Sequence, residues 1–245
     1  MTVFPTVILL QARINSTRLP EKLFALLAGE SVIRHCIMRL SLVDLPLFLA
    51  VPETDTEIIA GHIKNSTAII GGAEHNVLAR FLQAAQRVGA ETIIRATADN
   101  PLIAYELIMP LYEKHIALHS DYTHYTGLPL GCGVEIINVA ALLDLHKTDL
   151  TAAEREHVCP GLYNRSDRYI INHLPVPPEY SSFVSLRVTL DEKNDLTVLQ
   201  SVYDALYHDK PIPTRTALTW LIAHPNVSSL NSTVRQKSPM ESEQE

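Results

Sequence analysis

Residues 7–22 read Val-Ile-Leu-Leu-Gln-Ala-Arg-Ile-Asn-Ser-Thr-Arg-Leu-Pro-Glu-Lys, a short apolar run followed at once by a polar, basic segment. The run Val7–Gln11 contains β-branched residues and is typical of a buried strand. The segment 12–22 is then predicted to be the loop that leaves the end of that strand. In open parallel sheets, ligands bind outside the carboxyl ends of the strands. This loop is therefore a candidate binding element.

Outward from this stretch, strand and helix patterns alternate. Further strands are predicted at 47–51, 68–70 and 92–95, and helices at 31–40, 55–64, 76–88 and 101–118. The alternation is typical of an α/β fold with a doubly wound, mainly parallel sheet and helices on both faces. The second half is less regular, with strands predicted at 121–125, 134–138, 169–174 and 186–190, and helices at 140–146, 194–207 and 214–223. The segment 151–163 begins with a helical pattern that Pro160 interrupts. We expect one domain over 1–230 and a disordered polar tail over 231–245.

The composition excludes several classes of protein. The 245 residues include 47% hydrophobic and 19% charged residues, which is ordinary for a globular domain and unlike a disordered chain. No apolar run approaches about 18 residues and no secretory leader pattern is present, so we expect no membrane span and a cytoplasmic location. The net charge of −7 argues against a nucleic-acid partner. Three widely spaced cysteines predict neither a disulfide framework nor a structural zinc site.

Three cations lie on the loop after the first strand: Arg13, Arg18 and Lys22. Two guanidinium groups and an ammonium on one short loop can surround a polyphosphate, with the Ser16 hydroxyl and backbone N–H groups binding the remaining oxygens. The loop matches neither the P-loop nor the dinucleotide-binding fingerprint. A solvated basic loop is the alternative interpretation.

Two aspartates are predicted at strand ends on the same edge of the sheet. Asp99 follows the strand at 92–95, and Asp191 follows the strand predicted at 186–190. The pair could share one Mg²⁺ with substrate phosphates, because that ion is commonly held by one or two carboxylates plus phosphate oxygens. The alternative is that both are ordinary turn or cap residues.

Two other clusters carry weaker signals. His115 and His119 are four residues apart on a predicted helix, a spacing that can place two imidazoles on one zinc. The glutamate of H-E-x-x-H is missing, however, and a chance pair is common among eleven histidines. The segment 154–157, Glu-Arg-Glu-His, could hold an acid/base pair or form a charged helix face.

Six segments, in the same order along the chain, resemble the cytidylyltransferases, a family that includes the CMP-Kdo and acylneuraminate synthetases. The resemblance is greatest to the spore-coat-polysaccharide-biosynthesis branch of this family. The opening at 7–22 is similar to I-I-Q-A-R-x-x-S-x-R-L-P-G-K. The others are 72–81, similar to G-S-x-x-[DN]-V-L-x-R-[FY]; 94–103, similar to R-x-T-x-D-x-P-L-I; 128–135, similar to F-P-x-G-x-x-V-E; 154–160, similar to E-R-E-H-V-x-P; and 186–196, similar to L-R-x-T-V-D-x-x-x-D-L. The resemblance covers residues 7 to 207.

The resemblance implies a Rossmann-like nucleotidyltransferase that uses CTP and Mg²⁺. Such an enzyme attaches CMP to a small acidic acceptor, namely an acidic sugar or a related phosphate or phosphonate, and releases pyrophosphate. The expected partners are therefore CTP and this acceptor, and the expected assembly is a homodimer.

Matched positions also imply roles for individual residues. The residues implied to bind substrate are Gln11, Ala12, Arg13, Ser16, Arg18, Lys22, Asn76 and Arg80. Of these, Gln11 and Ala12 would lie beside the cytosine, and the cations of the loop would hold the triphosphate. Asp99 and Asp191 would hold the metal, and the predicted catalytic residues are Arg13, Lys22 and Asp99.

One departure from the family signature bears on activity. The glycine that follows Leu-Pro is Glu21 here, which puts a carboxylate beside Lys22 that could repel phosphate or neutralise the lysine. A nucleotide-binding or scaffold protein with little turnover is therefore the alternative to a transferase. A metal-dependent glycosyltransferase is disfavoured, because such enzymes usually carry a D-x-D motif and the chain has none.

Overall fold

The structure is a computed structural model that describes residues 4–63 and 67–235. Its strands are β1 (Thr6–Gln11), β2 (Leu26–Leu27), β3 (Glu30–Ser31), β4 (Leu47–Pro52), β5 (Ala68–Gly72), β6 (Thr92–Thr97), β7 (Tyr122–Thr126), β8 (Glu135–Asn138) and β9 (Ile171–Pro175). Its helices are α1 (Val32–Leu40), α2 (Thr56–His62), α3 (Val77–Val88), α4 (Ile108–Ala117), α5 (Val139–His146), α6 (Ala152–His157), α7 (Pro160–Tyr163), α8 (Lys193–Leu206), α9 (Thr214–Ala223) and α10 (Pro225–Ser228).

Seven strands form one sheet in the order β5-β4-β1-β6-β8-β7-β9, and β2 pairs with β3 in a separate hairpin. Neighbouring strands from β5 to β6 run parallel, as do β7 and β9, while β8 is antiparallel to both of its neighbours. The predicted mainly parallel sheet is confirmed. Because β1 lies between β4 and β6, the loops that follow β1 and β6 leave the sheet side by side.

Helices pack on both faces of the sheet because strand residues alternate between two cores. On β1, Ile8 and Leu10 pack into one core together with residues of α1, α4 and α8. Val7 and Leu9 pack into the other core, together with residues of α3 and α5. Burial on both faces explains why this strand is a continuous apolar run rather than an alternating one. The predicted doubly wound arrangement is confirmed.

The predicted strand at 186–190 is wrong. Within the described structure this segment makes one isolated bridge, between Leu130 and Arg187, and belongs to neither sheet. Its apolar pattern has another cause, since Val188 and Leu190 are buried in the core. Backbone bonding still holds it in place, because the Val188 N–H donates to the Leu130 carbonyl over 2.8 Å.

Several other predicted elements are present with different ends. The helix predicted at 101–118 is shortened to α4. The helical pattern over 151–163 is divided into α6 and α7, and the predicted interruption at Pro160 is confirmed. Pro160 causes the division, because proline is tolerated at the first position of a helix and not in its interior. The end of the helix predicted at 55–64 lies outside the described residues. Among the helices that the structure describes, none is long and apolar enough to span a bilayer.

The C-terminal segment runs further into the fold than predicted. Asn231, the first residue of the predicted tail, is buried. Its side-chain amide donates to the Arg187 carbonyl over 3.1 Å and to Asp195 Oδ1 over 2.9 Å. The predicted boundary at 231 is therefore too early, while 236–245 lies outside the described residues.

Candidate active site

A cavity of about 470 Å³ opens at the carboxyl ends of β1 and β6. Its walls include the loop after β1, the turn after β6, the end of α6 and the segment that leads into α8. The residues assigned from the sequence that lie in these walls are Gln11, Ala12, Arg13, Ser16, Arg18, Lys22, Asp99 and Asp191. The cavity lies where this class of sheet is expected to bind ligands.

The Lys22 ammonium lies between the two predicted metal ligands. Its Nζ atom is 2.7 Å from Asp99 Oδ2 and 3.0 Å from Asp191 Oδ1. Arg18 Nη2 lies 3.1 Å from the same Asp191 oxygen. Two aspartates that are distant in the sequence therefore direct carboxylate oxygens toward one cation.

These contacts shift the pKa values of the partners. Burial acts to lower the pKa of Lys22, but the Asp99 and Asp191 carboxylates outweigh it and the pKa is raised. Burial acts to raise the pKa of Asp191, but Lys22 outweighs it, with help from Arg18 and Arg187, and the pKa is lowered. Lys22 is therefore a cation and Asp191 an anion at neutral pH.

Main-chain contacts bring Asp191 close to Asp99. The Leu190 N–H donates to the Asp99 carbonyl over 2.8 Å, which joins the turn after β6 to the segment before α8. Gly131 packs against the same segment: its φ is +101°, and a Cβ atom there would lie 2.4 Å from the Thr189 nitrogen. Only glycine allows this approach of the two backbones without displacement.

Arg187 fixes Asp191 from the side opposite Lys22, and sequence reasoning missed it. Its guanidinium donates to Asp191 Oδ2 over 2.9 Å and to Asp195 Oδ1 over 2.8 Å. Asp195 Oδ2 accepts from the backbone N–H groups of Asp191 and Glu192, which closes the turn at the start of α8. Arg187 and Asp195 match the arginine and the second aspartate of the pattern L-R-x-T-V-D-x-x-x-D-L. The sequence therefore marks both positions but does not indicate that they hold Asp191.

Glu21 occupies a backbone position that suits glycine. Its φ of 55° and ψ of 22° are left-handed, and glycine adopts this conformation without the steric cost of a Cβ atom. The Glu21 side chain is exposed, and the ammonium of Lys22 pairs with Asp99 and Asp191. The anticipated neutralisation of Lys22 by Glu21 has no counterpart among the described ion pairs.

Asn76 and Arg80 lie outside the described walls of the cavity. Asn76 caps α3, where its Oδ1 accepts from the Ala79 N–H over 2.9 Å. Arg80 is buried and donates to the Ala73 carbonyl over 2.9 Å. Burial lowers the pKa of Arg80 to about 10, and the charge of Arg13 adds to the effect. Both residues shape the loop before α3, and their assignment to substrate stays a prediction.

A second cavity, of about 460 Å³, adjoins the first. The two cavities share wall residues Arg95, Thr97, Asn100 and Leu130. The remaining walls come from β7, β8, β9, α7 and the loop 128–134, and their aromatic and imidazole rings belong to Tyr122, His124, Tyr125, Tyr163 and His173.

A polar network links the two cavities, and sequence reasoning missed it. Gln11 Oε1 accepts from Arg95 Nη2 over 2.8 Å, and Arg95 forms an ion pair with Glu135. The Tyr122 hydroxyl donates to Glu135 over 2.7 Å. Burial acts to lower the pKa of Arg95, but Glu135 outweighs it and the pKa is raised. Arg95 and Glu135 lie in segments that resemble the family, but only the pairing of β6 with β8 brings them together.

The histidine pair lies away from both cavities. His115 is buried, and its Nδ1 lies 2.9 Å from Thr123 Oγ1. His119 follows the end of α4 with a left-handed φ of 49°. Across residues 4–63 and 67–235, no three or more histidine, cysteine, aspartate or glutamate side chains form a group that could hold a metal.

Comparisons with known proteins point to one family. The spore coat polysaccharide biosynthesis protein SpsF of Bacillus subtilis (strain 168) is 27% identical over 230 residues, which cover 90% of this chain and 95% of SpsF. A cytidylyltransferase from Leptospira borgpetersenii serovar Hardjo-bovis (strain JB197) has a TM-score of 0.84 at 22% identity, covering 95% of this chain and 100% of that one.

A CMP-2-keto-3-deoxy-manno-octonic acid synthetase complexed with CTP has a TM-score of 0.63 at 13% identity, covering 82% of this chain and 98% of that one. At these identities the two structures show that the fold is shared. The family model described as Cytidylyltransferase matches residues 7–206, which is most of the chain. The protein therefore belongs to the cytidylyltransferase family and is a nucleotidyltransferase.

Proposed function

We propose that the protein transfers CMP from CTP to a small acceptor and releases pyrophosphate. The observation that carries the proposal is the convergence of Lys22, Asp99 and Asp191 in the cavity at the carboxyl edge of the sheet. This cluster joins a cation suited to phosphate with two carboxylates suited to a metal. Family membership supports CTP as the nucleotide.

The triphosphate is assigned to the loop after β1. Arg13, Arg18 and Lys22 all reach the cavity from this loop, which is anchored where the Ile14 N–H donates to Asp55 Oδ2 over 2.9 Å. Phosphoryl transfer depends mainly on positioning and on stabilising the charge that develops on phosphate oxygens. Cations on an anchored loop supply both.

Asp99 and Asp191 fit a magnesium ion. Both direct an oxygen at Lys22 Nζ, at 2.7 and 3.0 Å, so their donor atoms converge. Mg²⁺ is commonly held by one or two carboxylates together with substrate phosphates. Bound there, the ion would neutralise charge that develops on the phosphoryl oxygens and on the leaving pyrophosphate.

The cavity at the carboxyl ends of β1 and β6 is assigned to the nucleotide and is called the nucleotide cavity. The second cavity adjoins it and shares walls with it, so it is assigned to the acceptor and is called the acceptor cavity. Two similar proteins support a sugar-like acceptor: one is described as a spore coat polysaccharide biosynthesis protein, the other as a CMP-2-keto-3-deoxy-manno-octonic acid synthetase. The acceptor class that we propose is an acidic sugar or a related phosphate or phosphonate. A homodimeric assembly and a cytoplasmic location stay predictions.

Pyrophosphate release tests the proposal. The four nucleoside triphosphates are compared, each with Mg²⁺ and with a panel of acidic sugars, sugar phosphates and phosphonates. We expect release with CTP to be at least about tenfold faster than with the others, which corresponds to about 1.4 kcal/mol of discrimination. Equal rates with all four would contradict a cytidylyltransferase activity, and CTP binding without release would favour the scaffold alternative.

Asp99→Asn and Asp191→Asn test the metal site in the same assay. Each should lower the rate by about a hundredfold or more, because the metal's contribution is several kcal/mol. The double variant should be little worse than either single one, since residues that act as a unit are not additive. Asp44→Asn, at an exposed position on the loop after α1, is the matched control. Losses that multiply in the double variant would show that the two aspartates do not share one ion.

A further inference from the structure

A strained backbone turn borders the nucleotide cavity. Val158 has a φ of 67° and a ψ of −66°, and the Cys159 N–H donates to the His157 carbonyl over 2.8 Å. These values describe a γ-turn of the rare, strained kind. For a β-branched residue a positive φ is a genuine outlier, which only the surrounding structure can hold in place.

Contacts on both sides hold the strained turn. Val158 and Cys159 are buried, and the Cys159 carbonyl accepts from the backbone N–H groups of Leu162 and Tyr163 over 2.9 and 3.1 Å. On the other side, α6 begins with a reciprocal capping box between Thr151 and Glu154. Strain of this kind persists where the surrounding structure imposes it, and it concentrates at functional sites. Here the turn fixes the direction of the residue that precedes it, His157.

His157 lies in the wall of the nucleotide cavity together with Arg95, which also lines the acceptor cavity. Two charged neighbours, Arg13 and Glu156, belong to the nucleotide cavity, where their side chains pair at 3.1 Å. Its other two charged neighbours, Arg95 and Glu135, belong to the acceptor cavity, and Arg95 lines both. Charged groups of both cavities therefore act on the imidazole.

The carboxylates in the described walls of the nucleotide cavity form ion pairs with basic side chains. Asp99 and Asp191 pair with Lys22, and Glu156 pairs with Arg13. For Asp191, Lys22 outweighs burial and lowers the pKa, so this carboxylate is a weak base. An imidazole in the same wall is better suited to accept a proton near neutral pH.

Burial is the main influence on the pKa of His157. Burial lowers the pKa of His157, Arg95 and Arg13 lower it further, and Glu156 and Glu135 oppose them. The net direction is downward from 6.5. At neutral pH the imidazole is therefore in the form that accepts a proton.

We propose that His157 is the general base of the transfer and that the acceptor attacks through a hydroxyl group; this inference rests on the proposed function. The hydroxyl oxygen forms a bond to the α-phosphorus of CTP while its proton passes to the imidazole. The bond from the α-phosphorus to the bridging oxygen breaks, and pyrophosphate leaves with that electron pair. An acceptor that attacks through an ionised phosphate or phosphonate oxygen would have no proton to give.

The test compares two groups of acceptors with CTP and Mg²⁺: sugar acids that attack through a hydroxyl, and sugar phosphates and phosphonates. We expect pyrophosphate release with the first group. His157→Gln should lower kcat by about 10²-fold or more, the usual contribution of a general base. Calorimetry should show CTP affinity within about twofold of the wild type, a difference below 0.5 kcal/mol. In the wild type, log(kcat/KM) should rise with pH and level off, and in the variant this rise should disappear.

His146→Gln, at an exposed position on α5, is the control and should keep wild-type values. His157→Asn serves if the glutamine variant is poorly folded by circular dichroism. Release that requires a phosphate or phosphonate acceptor, or a variant with undiminished kcat, would overturn the base role alone. A variant that loses CTP affinity in proportion to its rate would assign His157 to nucleotide binding instead. No release with any acceptor would overturn the proposed function, and the base role with it.

Discussion

At the scale of single residues, Lys22 occupies the point at which the two aspartates converge. In this arrangement the ammonium replaces part of the charge that a divalent ion would supply to Asp99 and Asp191. The same side chain is assigned to the triphosphate. One ammonium cannot pair fully with the two carboxylates and with the triphosphate at the same time. Binding of the metal and the nucleotide should therefore be linked to release of Lys22 from Asp99 and Asp191.

Lys22→Met makes this linkage measurable. Without the ammonium, the carboxylates repel each other, and the free energy of unfolding should fall by about 2 kcal/mol. This is below the loss for a fully buried pair because the Asp99 side chain is 26% exposed. Urea unfolding with and without Mg²⁺ should show that the ion stabilises the variant more than the wild type.

Lys193→Met changes the net charge equally at an exposed position and is the control. It should respond to Mg²⁺ as the wild type does. An equal Mg²⁺ effect in Lys22→Met and the wild type would show that the ion and the ammonium do not compete for the aspartates.

Glu21 allows backbone strain to be separated from charge. A non-glycine residue in the left-handed region costs roughly 1–2 kcal/mol, and part of this is offset by the greater entropy that glycine loses on folding. Glu21→Gly should therefore raise the free energy of unfolding by about 0.5–1 kcal/mol. Glu21→Gln keeps the left-handed φ of 55° and should leave stability nearly unchanged.

The same two variants report on the charge of Glu21 through CTP affinity. If the carboxylate repels the triphosphate, both should bind CTP more tightly than the wild type, and more so at low salt. A gain confined to Glu21→Gly would assign the effect to the backbone. Loss of stability in Glu21→Gly would mean that the Glu21 side chain makes a contribution larger than the strain.

At the scale of elements, sequence patterns predict the strands, loops and helix caps whose structure depends on short segments of the chain. The buried run of β1, the basic loop after it and the Asn76 cap of α3 all follow from short segments. The segment 186–190 shows the limit, because burial of an irregular segment produces the same apolar run as a strand. Its position depends on Gly131, which lies more than fifty residues away and whose close packing no local pattern reveals.

The Arg95–Glu135 pair shows the same limit at the site itself. Each residue could be found as a charged position in a segment that resembles the family. Their contact depends on the antiparallel pairing of β6 with β8, which sets Arg95 opposite Glu135. The resemblance could supply the order of the motifs along the chain, but not this register.

The packing of α4 on β7 predicts a pH dependence of stability. His115 is buried against Thr123, and burial lowers its pKa to about 4, against 6.5 ordinarily, with Asp121 opposing the shift. The unfolded chain thus binds a proton that the folded chain does not. As pH falls from 6.5 toward 4, the free energy of unfolding should decrease by up to about 3 kcal/mol from this group.

Carboxylates also titrate in this range, so the informative quantity is a difference between variants. His115→Gln should be less stable than the wild type at pH 7, and the gap should shrink as pH falls to 4. His146→Gln should follow the wild type throughout, since its side chain is exposed. A constant gap between His115→Gln and the wild type would show that His115 is protonated in the folded protein as readily as in the unfolded one.

At the scale of the whole molecule, the nucleotide cavity is built from segments far apart in the chain: the loop after β1, the turn after β6, the end of α6 and the segment before α8. Unfolding separates them, so a ligand that binds this cavity binds the folded state alone. Such a ligand raises the free energy of unfolding by RT ln(1 + [L]/Kd), about 2.7 kcal/mol at a hundredfold excess over Kd.

For a chain of this size, that gain corresponds to a rise in Tm of about 5–10 °C. CTP with Mg²⁺ should therefore raise Tm clearly more than ATP or GTP at equal concentration. The shift should be smaller in Asp99→Asn and Asp191→Asn, because both variants lose a proposed ligand of the metal, whereas Asp44→Asn should keep it. Scanning calorimetry measures each case. If the aspartate variants kept the full rise in Tm with CTP, nucleotide binding would not depend on the metal at this site. Equal rises in Tm with all nucleotides would show that the cavity recognises the triphosphate and not the base.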